Sequence, residues 1–296
     1  MSTKIYLSSL GRVVDPADAT VSVFDRGFLY GDSIYETMRT AGGKVVEIER
    51  HLSRLHGSAE GIAFEMPFSN EEIRAAVQAT LDGAGNSESR IRVVITRGTG
   101  PIALDTRTSA SPLMVVFVQP LEFPPPETYE AGIAAAIVDV QKNVREAIDP
   151  GLKTGNYLPS ILALRKAIEA KGEDAIMCNR DGNVAEGATS NVFMVAGGEL
   201  STPSLATGVL AGITRSVVLE LAGEGGLGLT THETIIAPDQ LRKANEVFLT
   251  SSIRGIMPVT RLDGGPVGDG QVGAVTRRLM AAYDAYIDAI ARQGRA

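Results

Sequence analysis

The sequence predicts an α/β chain in two domains, and three observations predict it. Strand-like and helix-like runs follow one another from end to end, some with apolar residues at a period of two, others at helical spacing. The stretch Pro120-Leu121-Glu122-Phe123-Pro124-Pro125-Pro126 interrupts them, and consecutive prolines join neither a helix nor a central strand, so it reads as an extended linker. The 296 residues suit one large or two medium domains, and 44% apolar content gives them ample core. The expected division is a smaller α/β domain over residues 1–120, a linker over 121–130 and a larger domain over 131–296.

Lys4 to Val14 and Ala19 to Phe24 read as short strands around a turn. Asp25-Arg26-Gly27 breaks them, and Phe28 to Asp32 reads as a loop feeding the strand run Ser33 to Thr40. Gly42-Gly43 makes a hairpin turn into Lys44 to Ile48. Glu49 to Ile62 is helical, because Leu52, Leu55 and Ala59 fall at i, i+3 and i+7. A second helix runs from Asn70 to Gly83, with Ser69 and Glu72 spaced as in a capping box. Arg90 to Arg97 and Pro112 to Gln119 pair as strands across the polar loop 98–111, whose length suits a lid or binding loop.

Beyond the prolines, Ile133 to Val140 is a strand. Leu158 to Ala170 is a helix with Pro159 in its first turn and Ile161, Leu164 and Ile168 on one face. Ala175 to Asn179 and Asn183 to Val195 are strands joined by Arg180-Asp181-Gly182. Ile213 to Ala222 is a helix with Ile213, Val217 and Leu221 aligned. Pro238 to Lys243 is a short helix, Glu246 to Ser251 a strand, and Asp263-Gly264-Gly265 a hairpin. Ala274 to Arg292 is a helix burying Val275, Leu279, Tyr283, Tyr286 and Ile290.

Composition excludes several function classes. With 28 basic and 35 acidic residues the net charge is −7, the wrong sign for a nucleic-acid surface. No apolar run is long enough to span a bilayer, and residues 1–10 lack the pattern of a secretory signal. The single cysteine excludes an internal disulfide and suits a reducing, cytoplasmic compartment. It lies in an apolar strand run, as a structural thiol does, and no histidine or cysteine falls in metal-ligand spacing.

The candidate chemistry gathers around Leu152-Lys153-Thr154-Gly155-Asn156-Tyr157. Most lysines are solvated charges, but a lysine amine can also form Schiff bases with carbonyl groups. Glu186 falls among small and apolar residues, where a carboxylate needs a partner unless it simply faces water in a turn. In Leu210-Ala211-Gly212-Ile213-Thr214-Arg215 a glycine precedes a helix, which is an ordinary N-cap or an anion site with Thr214 adding a hydroxyl. Thr250-Ser251-Ser252 closes a strand with three hydroxyls. Arg54 beside an apolar helix face is a surface charge or a bidentate anion grip.

Together and in this order, these stretches resemble the class IV aminotransferases, the pyridoxal phosphate enzymes of fold type IV. The N-terminal motifs are similar too: Asp25 to Asp32, Tyr35-Glu36-Thr37-Met38-Arg39, and His51-x-x-Arg54-Leu55. The resemblance covers nearly the whole chain. It implies a smaller α/β N-terminal domain, a larger C-terminal domain with a β-barrel-like core flanked by helices, pyridoxal 5'-phosphate at the domain interface, and a homodimer or higher homo-oligomer. It implies Lys153 as the Schiff-base lysine, Glu186 as partner of the pyridine nitrogen and Tyr157 on the ring oxygen. It also implies Leu210 packed on the ring, and Arg54, Ile213, Thr214, Ser251 and Ser252 around the phosphate.

The family includes branched-chain and D-amino-acid aminotransferases, amine transaminases, and lyases acting on 4-amino-4-deoxychorismate. Asn156-Tyr157, Tyr30-Gly31, Arg39, Arg92 and the Val267-to-Arg277 tail look like the branched-chain branch. That branch usually has one more residue between lysine and asparagine, and another residue where Ser190 stands; both departures resemble the D-amino-acid and lyase branches. The D-amino-acid branch carries an arginine and a histidine where this chain has Ile102 and Leu104. The resemblance therefore implies amino transfer between a branched-chain L-amino acid and a 2-oxo acid such as 2-oxoglutarate. The alternatives are D-amino-acid or (R)-amine transamination and the lyase reaction. Arg92 alternates with Ile91 and Val93, so it points away from both, and it is the expected anchor of the substrate carboxylate. Arg39 and Tyr30 or Tyr35 would orient it.

Overall fold

The computed structural model of the chain describes residues 2–143, 147–223 and 226–292. It separates into two compact units. One comprises Met1–Glu122, Leu152–Asn156 and Asp288–Ala296, the other Phe123–Gly151 and Tyr157–Ile287, so the lysine segment is counted with the first.

The first unit contains β1 (Lys4–Leu7), β2 (Arg12–Val14), α1 (Arg26–Tyr30), β3 (Ser33–Ala41) and β4 (Lys44–Val45). It continues with α2 (Ile48–Gly61), α3 (Asn70–Ala84), β5 (Ser89–Thr96) and β6 (Leu113–Pro120). The strands form one antiparallel sheet in the order β2-β1-β6-β5-β3-β4. Alternation fixes which side is covered. Ile34 and Met38 of β3 and Ile91, Val93 and Ile95 of β5 pack under Leu52 and Leu55 of α2 and Ile73 and Val77 of α3. The α3 capping box is present: Ser69 Oγ accepts the Glu72 N–H at 3.2 Å, and the Glu72 carboxylate accepts the Ser69 N–H at 2.7 Å.

Three expectations here need correction. Residues 19–24 form no strand, because Val21, Val23 and Phe24 are exposed with no partner strand beside them. Residues 26–30 are helical rather than a loop; Asp25 caps them by accepting the Gly27 N–H at 2.8 Å, and Gly31 ends them at φ +69°. The run after Gly43 keeps only two strand residues before α2 begins at Ile48.

The second unit opens with α4 (Pro126–Ala131), β7 (Ile133–Gln141), α5 (Leu158–Glu169), β8 (Asp174–Cys178) and β9 (Val184–Gly187). It goes on through β10 (Asn191–Ala196), β11 (Glu199–Pro203), α6 (Ile213–Ala222), β12 (Thr231–Thr234) and α7 (Pro238–Arg242). Then come β13 (Glu246–Ser251), β14 (Gly255–Leu262), β15 (Gly265–Pro266) and α8 (Ala274–Arg292). The strand order is β12-β11-β10-β13-β14-β7-β8-β9, and β9 also pairs with β10. That return pairing closes β10, β13, β14, β7, β8 and β9 into a six-stranded barrel, in line with the expected barrel-like core. All six strands contribute to one cluster that fills it, including Ile133, Ile176, Val184, Val192, Leu249 and Met257. The outward residues Phe193, Phe248 and Ile256 pack against α6 and α8, and Ala136, Ala175 and Met177 against α5.

The predicted strand from Asn183 to Val195 is two strands, split by a turn in which the Gly187 N–H donates to the Ser190 carbonyl at 2.6 Å. The face of α5 is also reversed. Ala163 and Ala167 are buried, whereas Ile161, Leu164 and Ile168 are 59%, 37% and 60% exposed. Helix and strands meet through alanines on both sides, a close approach the larger residues would prevent. β11, β12 and β14 had no sequence signal strong enough to be assigned; β14 carries a proline mid-strand, at Pro258. Among the described residues, no helix is long and apolar enough to cross a membrane.

Candidate active site

Lys153 lies along the start of β3, held by backbone. Its N–H donates to Ser58 Oγ at 3.0 Å, its carbonyl accepts the Tyr35 N–H at 3.1 Å, and the Gly155 N–H reaches the Ser33 carbonyl at 2.9 Å. A Cβ on Gly155 would collide with the Ser33 side chain, so glycine is required for this close approach. The half-buried Lys153 Nζ donates to Tyr35 Oη at 3.1 Å and sits 4.4 Å from the centre of the Tyr35 ring. The Arg92 guanidinium lies 4.4 Å from the same ring centre. Tyr35, Arg92 and Lys153, all singled out in the sequence, are thus brought together on one aromatic ring.

On the opposite, helix-covered side of β3 stands Glu36, 1% exposed. Arg54 grips it with Nε and Nη2, each at 2.7 Å, and His51 Nδ1 lies 2.7 Å away. Burial alone would raise the Glu36 carboxyl, but the Arg54 guanidinium, helped by His51, outweighs it and holds the group at about 2. Burial also pushes His51 below its ordinary value, against the pull of Glu36. Arg54 is therefore pre-oriented from behind, as a planar fork on a carboxylate is.

Glu186, Asn191 and Thr250 are direct partners across β9, β10 and β13, so their side chains point the same way. The buried Glu186 carboxylate accepts the Leu210 N–H at 2.9 Å and Asn191 Nδ2 at 3.3 Å, and pairs with Lys142 Nζ at 2.6 Å. Asn191 Nδ2 also donates to the Leu210 carbonyl at 2.9 Å. Nearby, α6 begins at Gly212 with no side-chain cap, leaving the first-turn N–H groups of Ile213 and Thr214 for an anion. A Cβ at Gly212 would collide with Asn191 Oδ1.

The remaining candidates are placed less tellingly. Ser251 Oγ accepts the Arg254 N–H at 3.3 Å in the β13–β14 turn, where Ser252 is half-buried. Tyr157 is the residue before α5. Arg39 is 7% exposed on the Tyr35 side of β3. Tyr30 ends α1 and carries Arg26 over its ring at 5.1 Å. Arg97, the next arginine after Arg92, is committed elsewhere, with Nε 2.9 Å from Asp32 and its guanidinium stacked 4.7 Å from Phe64.

Sequence reasoning singled out neither Glu36 nor Lys142 as a functional residue. Glu36 had a signal, an acid in an apolar strand run, the same that marked Glu186; Lys142 had none. Cys178 is half-buried and its thiol is pushed up by burial, as suits a structural cysteine.

The donors fit a pyridoxal phosphate. An uncapped helix start offers N–H groups to a phosphate, an ionisable carboxylate faces where a pyridine nitrogen needs a partner, and a lysine amine is in reach of a phenol. Two buried hydroxyls beside Glu186, Ser190 Oγ and Thr250 Oγ1, have no hydrogen-bond partner in the protein, which is what a polar ligand would correct.

Comparison with known proteins agrees. Residues 33–262 match the sequence model of the family described as amino-transferase class IV. A Methanocaldococcus jannaschii protein, provisionally named branched-chain-amino-acid aminotransferase, is 37% identical over 276 residues, 93% of each chain. The D-alanine aminotransferase of Bacillus licheniformis is 31% identical over 272 residues, 92% of this chain and 93% of its own. Among solved structures, the branched-chain aminotransferase of the thermophilic archaeon Thermoproteus uzoniensis, with norvaline, superposes with a TM-score of 0.89 at 30% identity, covering 99% of this chain and 97% of that one.

Proposed function

The chain belongs to the class IV aminotransferases, and on that premise we propose that it moves an amino group between a branched-chain L-amino acid and a 2-oxo acid such as 2-oxoglutarate, using pyridoxal 5'-phosphate carried on Lys153. The observation that carries this reading is the Tyr35 ring, which holds the Lys153 amine and the Arg92 guanidinium within one substrate's reach. Pyridoxal phosphate, when bound, supplies the electron sink for the substrate's α-carbon. Glu186 keeps the pyridine nitrogen protonated, with the Leu210 N–H and Asn191 fixing its carboxylate. Arg54, Ile213, Thr214, Ser251 and Ser252 hold the phosphate, Tyr157 bonds the ring oxygen and Leu210 packs on the ring. Lys153 Nζ takes the α-proton and returns it on the other side of the exchange, as base and then acid. Tyr35 steadies that amine, and Arg92, with Arg39 and Tyr30 beside it, receives the substrate carboxylate.

The test is a half-reaction screen. Purified protein should show a visible absorbance band that L-valine, L-leucine and L-isoleucine bleach faster than D-alanine does. The D-alanine relatives make the opposite preference the specific rival, and faster bleaching by D-alanine would install it. Release of pyruvate from an aminodeoxychorismate without any oxo-acid acceptor would point instead to the lyase.

We also propose a homodimer or higher assembly in the cytoplasm, the compartment suited to the lone thiol. Support comes from α5, which turns Leu158, Ile161, Leu162 and Ile168 outward, each at least 44% exposed. Clustered apolar side chains of that size mark an interaction surface. Sedimentation velocity at micromolar concentration should give at least twice the monomer mass, and a monomer would contradict this.

A further inference from the structure

The face of the first sheet that turns away from the helices carries more positive charge than one carboxylate needs. Strand pairing sets Tyr35 opposite Val94, Thr37 opposite Arg92 and Arg39 opposite Arg90. Residues directly opposite share a face, so Tyr35, Arg39, Arg90 and Arg92 all project to the Lys153 side. On the other neighbour, β6, Arg90 faces Gln119 and Arg92 faces Phe117, neither of them an acid. Arg39 and Arg90 are like charges in direct opposition, an arrangement that costs stability and that an anion between them relieves. Arg90 is exposed at the end of this row.

From these contacts we infer that Arg90 forms a second carboxylate subsite, so that the oxo-acid partner is a five-carbon dicarboxylate. The inference rests on the reading of Arg92 as anchor of the first carboxylate beside Lys153. Residues two apart on a strand are about 6.8 Å apart. The terminal carbons of a five-carbon chain built from bonds of ~1.5 Å lie roughly 5 Å apart, within the reach of two flexible guanidinium groups. The row then runs from the Lys153 amine through Arg92, at the carboxylate next to the reacting carbon, to Arg90 at the distal one. Each guanidinium can bind its carboxylate through two parallel N–H donors.

The test uses two unreactive acids of equal length as competitive inhibitors of the cofactor-loaded enzyme: glutarate, with a carboxylate at each end, and pentanoate, with one. Arg90→Leu should weaken glutarate about tenfold, the value of one charge-assisted contact at an exposed site, while pentanoate changes less than twofold. The KM for 2-oxoglutarate should rise in step, and Arg90→Lys should recover part of the loss. The preference for glutarate should also shrink as salt is raised from ~0.01 to ~0.3 M. Equal weakening of both acids, or no change for glutarate, would overturn the inference. Arg92→Ala tells the two readings apart. Loss of both acids there supports Arg92 as the shared anchor. If both acids bind Arg92→Ala normally, the anchor reading fails, and the Arg90 comparison still decides the distal subsite on its own.

Discussion

Lys153→Ala is expected to keep its fold and to lose turnover by roughly a thousandfold or more, the scale at which a positioned general base acts. The fold survives because the segment is held by main-chain bonds. The Lys153 N–H to Ser58, the Lys153 carbonyl to Tyr35 and the Gly155 N–H to Ser33 do not involve the amine. What disappears is the group that carries the cofactor and moves the proton. Borohydride reduction followed by peptide mass mapping should find pyridoxyl mass on the Lys153 peptide of the native protein and none in the variant. A small added amine should restore part of the turnover by supplying the missing base. Ordinary activity in the variant would move the reaction away from this lysine.

The second large effect is on stability and on acid. Glu36→Gln leaves Arg54 and His51 without the buried carboxylate that both contact, and breaking such a pair from one side costs about 3 kcal/mol. The pH dependence has a definite sign. Glu36 is held at about 2, against an ordinary value of 4.5. Its stabilisation is therefore complete above about 4.5 and is lost as pH falls from there toward 2. His51 works in the same direction at higher pH. Its value is depressed in the fold, so the unfolded chain binds the proton first, and stability begins to fall as pH drops below 6.5. Urea midpoints between pH 7 and 3 should decline for the native protein and follow a flatter course in Glu36→Gln. Pyridoxal phosphate affinity should drop in the variant as well, because Arg54 loses its backing. Parallel urea curves would show that Glu36 does not carry the acid response.

Much of this was legible where a short-range rule was at work. Ser69 and Glu72 announced the start of α3, and β13, α6 and α8 run between the residues that periodicity marked. What was hidden depends on partners distant in the chain. Nothing local says that Ile161 and Ile168 face outward, since that follows from the alanines on β7 and β8 which α5 must approach. Nothing local splits 183–195 at Ser190, because the split is made by the barrel closing on itself. Within the candidate site, Lys153, Arg92 and Glu186 could be nominated from residue type and neighbours. Lys142 could not, since its tie to Glu186 joins residues far apart in sequence.

The division of the chain has a consequence for the order in which the enzyme is made. All six strands of the first sheet lie before Glu122, yet Leu152–Asn156, which belongs to the same unit, is synthesised only after residues 123–151. On the ribosome the sheet and its two helices can assemble while the lysine segment is still inside the exit tunnel. The start of β3 then waits with the main-chain groups of Ser33 and Tyr35 unmet, and the late segment completes them. Translation thus delivers the reactive amine to a seat that is already built, and a pause in synthesis near residue 150 would yield a folded, inert nascent domain.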